Sequence, residues 1–204
     1  YGTCKLDHYA GFVKKTDLTP VTEPPSTLVS VPATHIYKEP DYKTQPHLAL
    51  SFLSRVTLAN TNENDFAEIP GLGWIFKAHT QPLANFHLDG DLADIATAFL
   101  GSPYYFGGRS RDGIDCSGLV QIAMMGCGYP CPPRDTIDQR HSIGTAISRD
   151  ALQRNDLVYF EGHVGIMLDD THILNATARH MSTVIETVQA LEEIYGQAQS
   201  IRRP

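Results

Sequence analysis

The sequence predicts an α+β protein with a β-rich region before it. Between residues 91 and 126, apolar residues recur at the three- and four-residue spacing of helices. Between residues 157 and 188, short β-branched and aromatic runs are separated by turn residues, as in an antiparallel sheet. Helices followed by such a sheet are typical of the α+β class. A chain of 204 residues is long enough to hold this domain and a smaller one.

The first third of the chain predicts a separate β module. Short strand-like runs at close spacing over residues 27–83 predict a small β-barrel. Residues 11–15 echo residues 73–77, since both begin with glycine, an aromatic residue and a β-branched residue. This echo predicts that residues 1–26 are the tail of an incomplete barrel followed by a Pro-rich linker, with one irregular β domain as the alternative. Residues 84–204 then form the second domain.

The helices and strands of the second domain can be placed from local signals. Residues 92–100 predict its first helix, which the glycine and proline that follow bring to an end. Asp115 is a suitable N-cap for a second, almost entirely apolar helix, which should therefore be buried. A short third helix is expected at residues 136–144. Four strands are expected after it, at residues 157–160, 164–168, 172–176 and 184–188.

Composition excludes several classes of protein. The net charge of -7, from 16 Lys and Arg against 23 Asp and Glu, argues against nucleic-acid binding. No apolar stretch approaches the roughly 20 residues that a membrane-spanning helix needs. The four cysteines have no zinc-like spacing, so we expect neither a metal nor another cofactor. The composition indicates no oligomeric state.

The expected location of the protein rests on weak signals. Reduced thiols fit the cytoplasm, and a periplasmic or secreted location is the alternative. The chain begins at Tyr1 rather than Met, so the natural start is expected to lie upstream.

Cys116 is the candidate nucleophile. It follows a glycine-rich loop and precedes the apolar helix, where unpaired N–H groups and the helix dipole stabilise a thiolate and can hold an oxyanion. The alternative is a small core residue, but Gly107, Gly108 and Gly113 indicate a closely approaching, bent backbone that such a residue does not require. The charge of Asp115 opposes the thiolate unless backbone or substrate amines bind it, so we expect Asp115 to face a cationic group of the ligand.

His163 is the candidate base, and its orienting partner is ambiguous. A cysteine, a histidine and an orienting polar group, in this chain order, are the parts of a papain-like thiol hydrolase. If residues 169–170 form a two-residue hairpin loop, His172 shares the face of the sheet that carries His163. If residues 169–171 form a three-residue loop, Asn175 does so instead.

Two further groups of residues have ordinary structural interpretations. Tyr104 and its two aromatic neighbours can simply fill the core. Arg134 and Asp135 can form a loop ion pair.

Taken together, the segments resemble the NlpC/p60 family of cell-wall peptidases. The resemblance covers about residues 91–190 in family order and spacing, and the N-terminal region resembles the bacterial SH3-like barrels that often precede this domain. The segments that carry it are Pro103-Tyr104-Tyr105-Phe106-Gly107-Gly108, Asp115-Cys116-Ser117-Gly118-Leu119-Val120, Pro133-Arg134-Asp135-Thr136 with Gln139, Asp156-Leu157-Val158-Tyr159-Phe160 and His163-Val164-Gly165-Ile166.

The resemblance implies a papain-like core in which Cys116 and His163 cleave peptidoglycan peptides. The third family position falls on Asn175, where histidine is usual, and this favours the three-residue loop over a role for His172. Members with SH3-like barrels are commonly γ-D-glutamyl-L-diamino acid endopeptidases that require a free N-terminal L-Ala.

In that subgroup the pocket residues lie beside the nucleophile. Carried over to this chain, Asp115 and Ser117 would hold the L-Ala ammonium, and Arg134 and Asp135 would help to bind D-Glu. Tyr104 would lie near the nucleophile.

The function expected from the sequence is hydrolysis of the γ-D-Glu–diamino acid bond in cell-wall recycling or remodelling, the diamino acid being diaminopimelate or lysine. The alternatives are an amidase or broad endopeptidase acting on intact wall, and a non-catalytic wall-binding protein. Reaction of Cys116 with iodoacetamide at mildly acidic pH is expected for a catalytic thiolate and not for a buried structural thiol.

Overall fold

The chain folds into two compact units, which a computed structural model describes over residues 1–18, 20, 24–59, 64–87 and 90–204. Residues 14–88 form one unit, called here the β unit. Residues 1–13 join residues 89–204 in the other, called here the α+β unit. The predicted region 1–26 is therefore divided between the units, and the Pro-rich linker in it begins outside the described residues.

The first thirteen residues form a hairpin of the α+β unit rather than part of a barrel. Strands β1 (Gly2–Thr3) and β2 (Ala10–Gly11) pair antiparallel. Asp7, in the loop between them, accepts a 3.1 Å hydrogen bond from Arg109, and its side chain is only 5% exposed. This buried ion pair fastens the hairpin to the α+β unit, an attachment that no local sequence pattern signals.

The β unit contains two open antiparallel sheets. A three-stranded sheet has the order β6-β3-β9, and a four-stranded sheet has the order β5-β4-β8-β7. Val29, Ile36, Val56 and Ile75 are among the buried residues that form its core. The strands are β3 (Thr27–Val29), β4 (Ala33–Tyr37), β5 (Pro46–Ser51), β6 (Arg55–Val56), β7 (Phe66–Ile69), β8 (Gly73–Phe76) and β9 (Thr80–Pro82).

The predicted closed barrel is not found among the described residues of the β unit. Strands β3, β6 and β9 have only two or three residues each, so their ladders end before they can join the four-stranded sheet. The strand-rich character expected for residues 27–83 is present in an open form.

The α+β unit places four helices around a six-stranded antiparallel sheet and matches the predicted class. The sheet has the order β12-β17-β13-β14-β15-β16, and a small hairpin of β10 and β11 lies outside it. The helices are α1 (Leu92–Thr97), α2 (Cys116–Gly126), α3 (Thr136–Ser142) and α4 (Val188–Tyr195). The strands are β10 (Arg109–Ser110), β11 (Gly113–Ile114), β12 (Thr145–Ala146), β13 (Leu157–Phe160), β14 (His163–Met167), β15 (His172–Thr177), β16 (Ser182–Thr187) and β17 (Ser200–Arg203).

Helix α2 is buried and packs against β14 and β15. Asp115 caps it as predicted, by accepting the Gly118 N–H at 2.8 Å. The N-terminal end of α2 and the start of β14 are therefore brought together. No helix in the described part of the chain is long and apolar enough to cross a membrane.

Candidate active site

Cys116 is the first residue of α2, and its side chain faces the start of β14. The residue is 7% exposed, and the backbone N–H groups of Val164 and Ser117 reach its sulfur. Val164 follows His163 directly in β14, so the strand that carries the imidazole begins beside the thiol.

Burial of Cys116 opposes the thiolate stabilisation that the helix terminus is expected to provide. Burial, together with the negative charge of Asp115, raises the pKa of Cys116 to about 11. The two N–H groups and the Arg134 cation favour the thiolate, but they do not outweigh burial. The side chain of Cys116 is therefore a neutral thiol near pH 7, and it could act as a nucleophile only if a base removed its proton.

His163 has the environment of a neutral base. Burial lowers its pKa below the ordinary value of 6.5, although the hydrogen bond to Asn175 works in the other direction. Its Nε2 lies 3.1 Å from Asn175 Oδ1. Its ring stacks on Tyr195 with ring centroids 4.8 Å apart and an angle of 18° between the planes.

The connection between β14 and β15 has the three-residue form. Met167 pairs with Ile173, and the Leu168 N–H donates to the His172 carbonyl at 2.8 Å, which leaves residues 169–171 as the loop. This register places Asn175 on the face of His163. His172 is exposed and pairs with Asp169 at 2.9 Å, so it does not join the site.

The carboxylate of Asp115 is already bound by groups of the protein. Arg134 Nη2 donates to Asp115 Oδ2 at 2.5 Å, and the Gly107 N–H donates to the same oxygen at 2.7 Å. Arg134 Nη1 donates to Ser117 Oγ at 2.7 Å. The cation that faces Asp115 is thus Arg134 of the same chain, whereas the sequence analysis expects a cationic group of the ligand there. Arg134 pairs with Asp115 and not with Asp135, so the loop ion pair suggested as an ordinary interpretation is not formed. Asp135 is exposed at the N-cap of α3, where its charge helps to raise the pKa of Arg134.

Close backbone contact supports this arrangement at the start of α2. A Cβ atom at Gly118 would lie 2.4 Å from the Gly108 carbonyl oxygen, far inside contact distance. Gly107 has a φ of +86°, which favours glycine. The glycine-rich loop therefore lies directly against the helix terminus, as the sequence predicts.

Tyr104 is close enough to Cys116 and Asp115 to interact with both electrostatically. Burial raises the pKa of its phenol, and the thiolate form of Cys116 and the Asp115 carboxylate raise it further. Its backbone bridges to Ile114, two residues before the thiol.

The base side of the site contains three residues that the sequence analysis does not identify. Asn175 Nδ2 donates to Glu186 Oε2 at 3.2 Å, and Arg179 donates to Glu186 Oε1 at 2.8 Å. Tyr195, at the end of α4, stacks on His163. Val184 and Glu186 are two positions apart in β16 and therefore share a face of the sheet, which is the one local signal that Glu186 lies near the site. The sequence analysis does not predict α4.

Two other kinds of site are relevant in the described part of the chain, a metal site and a ligand cavity. No group of three or more His, Cys, Asp or Glu side chains there is placed to hold a metal ion. A cavity of about 860 Å³ lies in the β unit, beside Tyr37, Tyr42, Phe66 and Phe76, and it contains none of the predicted site residues.

This arrangement has the components of nucleophilic catalysis by a thiol. It combines a cysteine at a helix N-terminus, a buried imidazole at the start of the strand that the cysteine faces, and an amide bound to that imidazole. The helix terminus also offers N–H groups that lack partners within the helix and can stabilise an oxyanion.

Comparison with known proteins agrees with this assignment. Residues 101–200 match the model of the NlpC/P60 family. The probable endopeptidase NlpC of Escherichia coli K12 is 35% identical over 112 residues, which are 48% of this chain and 72% of that protein. The γ-D-glutamyl-L-lysine dipeptidyl-peptidase of Bacillus subtilis 168 is 29% identical over 201 residues, which are 92% of this chain and 66% of that protein.

A solved structure shows a similar fold over most of the chain. The crystal structure of an NlpC/P60 family protein from Bacillus cereus superimposes with a TM-score of 0.73 at 26% identity, covering 89% of this chain and 64% of that one. The chain thus spans about two thirds of the length of both Bacillus proteins. The matched motifs contain both Cys116 and His163, and we conclude that this chain belongs to the NlpC/P60 family.

Proposed function

We propose that the protein is a cysteine peptidase that hydrolyses the bond between γ-D-glutamate and the diamino acid of peptidoglycan peptides. The observation that carries this proposal is the contact of the Cys116 sulfur with the Val164 N–H, next to a histidine bound to Asn175. We propose Cys116 as nucleophile, His163 as base and Asn175 as the residue that orients the imidazole.

The reaction follows from the protonation states of the two groups. His163 Nδ1 takes the thiol proton while Sγ attacks the γ-carbonyl carbon of D-Glu, and the carbonyl oxygen becomes an oxyanion near the start of α2. Collapse of this intermediate breaks the C–N bond, and the imidazolium gives its proton to the leaving amine. Water, deprotonated by His163, then hydrolyses the thioester and restores the thiol.

The choice of bond is supported by the extent of the similarity. The dipeptidyl-peptidase of Bacillus subtilis matches 92% of this chain, including most of the β unit, whereas the Escherichia coli endopeptidase matches 48%. A protein that shares both units with a γ-D-glutamyl-L-lysine dipeptidyl-peptidase is expected to share its substrate class.

We further propose roles for the residues around the nucleophile. Tyr104, Ser117, Arg134 and Asp135 line the substrate side, with Arg134 and Asp135 near the D-Glu portion. Asp115 contributes by holding Arg134 in place, since its carboxylate is 4% exposed and bound internally. An L-Ala ammonium that reaches Asp115 must share it with Arg134.

The first test is the substitution Cys116→Ala, assayed with L-Ala-γ-D-Glu-diaminopimelate. We expect release of free diaminopimelate to fall by at least about a thousandfold, because no other thiol lies beside His163. Cys127→Ala is the matched control, and it should retain activity. Undiminished turnover by Cys116→Ala, with retained fold, rejects the proposal.

A second candidate is a broad endopeptidase acting on intact wall, favoured by the 35% identity to the Escherichia coli endopeptidase. Acetylating the amino terminus of the tripeptide separates the two. Loss of hydrolysis supports recognition of the free L-Ala ammonium, and equal hydrolysis supports the endopeptidase. If the protein binds the wall without catalysis, neither the free nor the acetylated tripeptide is cleaved.

The setting of the reaction is also a proposal. Recycling of short muropeptides in the cytoplasm fits a substrate with a free amino terminus, and a periplasmic or secreted enzyme fits remodelling. We propose the β unit as a divergent SH3-like module, because its seven short antiparallel strands follow at the close spacing expected of such modules.

A further inference from the structure

We propose that Glu186 is a positioning residue that selects the catalytically competent tautomer of His163 by fixing the amide orientation of Asn175. The inference rests on the proposed function of this site as a Cys116–His163 thiol peptidase. Glu186 does not touch the reacting atoms, and its effect passes through Asn175.

The first step is the register of β15 and β16. Asn175 lies opposite Val184, and Glu186 lies opposite Ile173, so Glu186 is the diagonal neighbour of Asn175 on the same face of the sheet. The buried amide of Asn175 therefore lies between two polar groups, with His163 Nε2 at 3.1 Å from its oxygen and Glu186 Oε2 at 3.2 Å from its nitrogen.

The second step is the chemistry of the two ends of the amide. The carboxylate of Glu186 can only accept hydrogen bonds, so it requires the NH2 group of Asn175 to point toward it. The amide oxygen then points at His163 and can only accept. Nε2 must consequently carry the proton, and Nδ1 keeps the lone pair that receives the proton of Cys116.

The third step is what a flipped amide would do. Its NH2 group would donate to His163 Nε2, which would place the ring proton on Nδ1 and leave no base for the thiol. The amide oxygen would also face the Glu186 carboxylate, an unfavourable contact between two acceptors. Glu186 thus disfavours the inactive arrangement.

The charge of Glu186 is maintained by its surroundings. Burial favours the protonated acid, but hydrogen bonds from Arg179 and Asn175 outweigh it and lower the pKa of Glu186 below its ordinary value. Arg179 donates at 2.8 Å, and His180 lies at 3.5 Å from the same oxygen. Glu186 therefore remains an acceptor at neutral pH.

The key variant is Glu186→Gln, which keeps the size of the side chain but adds a donor that accommodates either amide orientation. We expect kcat to fall by on the order of tenfold, with little change in KM. Nitrogen NMR of the histidine ring should show His163 shifting from the Nε2–H tautomer toward Nδ1–H. Glu193→Gln makes the same chemical change at an exposed position of α4, and it should alter neither readout.

A double variant separates orientation from general packing. With Asn175→Asp, both oxygens accept, so the direction of the side chain no longer matters. In that background we expect Glu186→Gln to cost nothing or to improve activity. An equal loss in both backgrounds, or an unchanged tautomer in Glu186→Gln, overturns the proposal.

The tautomer readout requires no substrate. If the wild-type protein fails to cleave the peptide but Glu186→Gln still changes the tautomer, the proposed function fails and the positioning role survives. If the peptide is cleaved and the tautomer does not change, the positioning role alone is rejected.

Discussion

Two polar clusters lie at the proposed catalytic pair, Cys116 and His163, and they bind their buried groups in different ways. The nucleophile cluster is Asp115, Cys116, Ser117 and Arg134, where a carboxylate and a guanidinium form a direct buried ion pair with 6% and 11% of their side chains exposed. The base cluster is His163, Asn175, Arg179, Glu186 and Tyr195, where a neutral amide separates the imidazole from the charged groups.

The difference indicates what each cluster must accomplish. Asp115 caps α2 and holds the loop, but its charge works against the thiolate, so Arg134 compensates for it at close range. His163 must remain neutral until it accepts a proton, and an amide orients it without stabilising the imidazolium as strongly as a carboxylate would. The nucleophile cluster balances the charge of Asp115, and the base cluster fixes the orientation of the His163 ring.

The largest effect on stability is expected from breaking the ion pair of the nucleophile cluster. Arg134→Ala leaves Asp115 buried without its cation, which should lower the free energy of unfolding by about 3–5 kcal/mol. Denaturation by urea measures this change. The control is Arg149→Ala, which removes an exposed pair with Glu192 and should cost at most about 1 kcal/mol. A loss no greater than the control's would contradict a role for Arg134 in balancing Asp115.

The pH dependence of activity is the next comparison, because the pKa of His163 is lowered and the pKa of Cys116 is raised. Burial lowers the pKa of His163 below 6.5 and raises that of Cys116 to about 11, which widens the range in which both are neutral. We expect the acid limb of kcat/KM to lie below pH 6.5, since the base becomes protonated only there. An acid limb above pH 6.5 would contradict the neutral pair.

The same shift of His163 has a consequence for stability. Between its folded pKa and 6.5, the unfolded chain binds a proton at His163 that the folded chain does not bind. The contribution of this group to stability is therefore fully present above pH 6.5 and decreases as the pH falls below it. His163→Gln, which cannot titrate in this range, should show a weaker loss of stability on acidification in denaturation measurements.

The smallest effect concerns the stacking contact of the base cluster. Tyr195→Leu removes the ring that lies against His163 and should lower kcat/KM by about threefold to tenfold, the equivalent of one aromatic pair. Tyr195→Phe keeps the stack and should stay closer to wild type. Equal losses in both variants would assign the effect to the hydroxyl instead of the ring.

Sequence reasoning identified the parts of the site that depend on local signals. The cap at Asp115, the start of α2 at Cys116 and the strand that begins at His163 each follow from neighbouring residues. The proposed orienting residue depends on the length of one loop, which local patterns leave undecided. The register of β14 and β15 gives a three-residue loop and places Asn175 on the face of His163.

The remaining contacts depend on long-range packing. Arg134 reaches Asp115 across 19 positions of the chain, and Tyr195 reaches His163 from a helix that the patterns did not predict. Hairpin residues 1–13 were assigned to a barrel from a short echo, whereas the Asp7–Arg109 pair fastens them to the α+β unit. None of these partners can be chosen from spacing alone, because each is one of many polar residues of similar local character.

The most direct test of the central claim is detection of the acyl-enzyme. A γ-p-nitrophenyl ester of L-Ala-D-Glu should acylate the thiol faster than water removes the acyl group, which would produce a burst of p-nitrophenol equal to the enzyme concentration. Mass spectrometry of the acid-quenched protein should then locate the L-Ala-D-Glu adduct on Cys116. A burst whose adduct lies on Cys4, Cys127 or Cys131, or turnover of this ester without any adduct, would contradict the account.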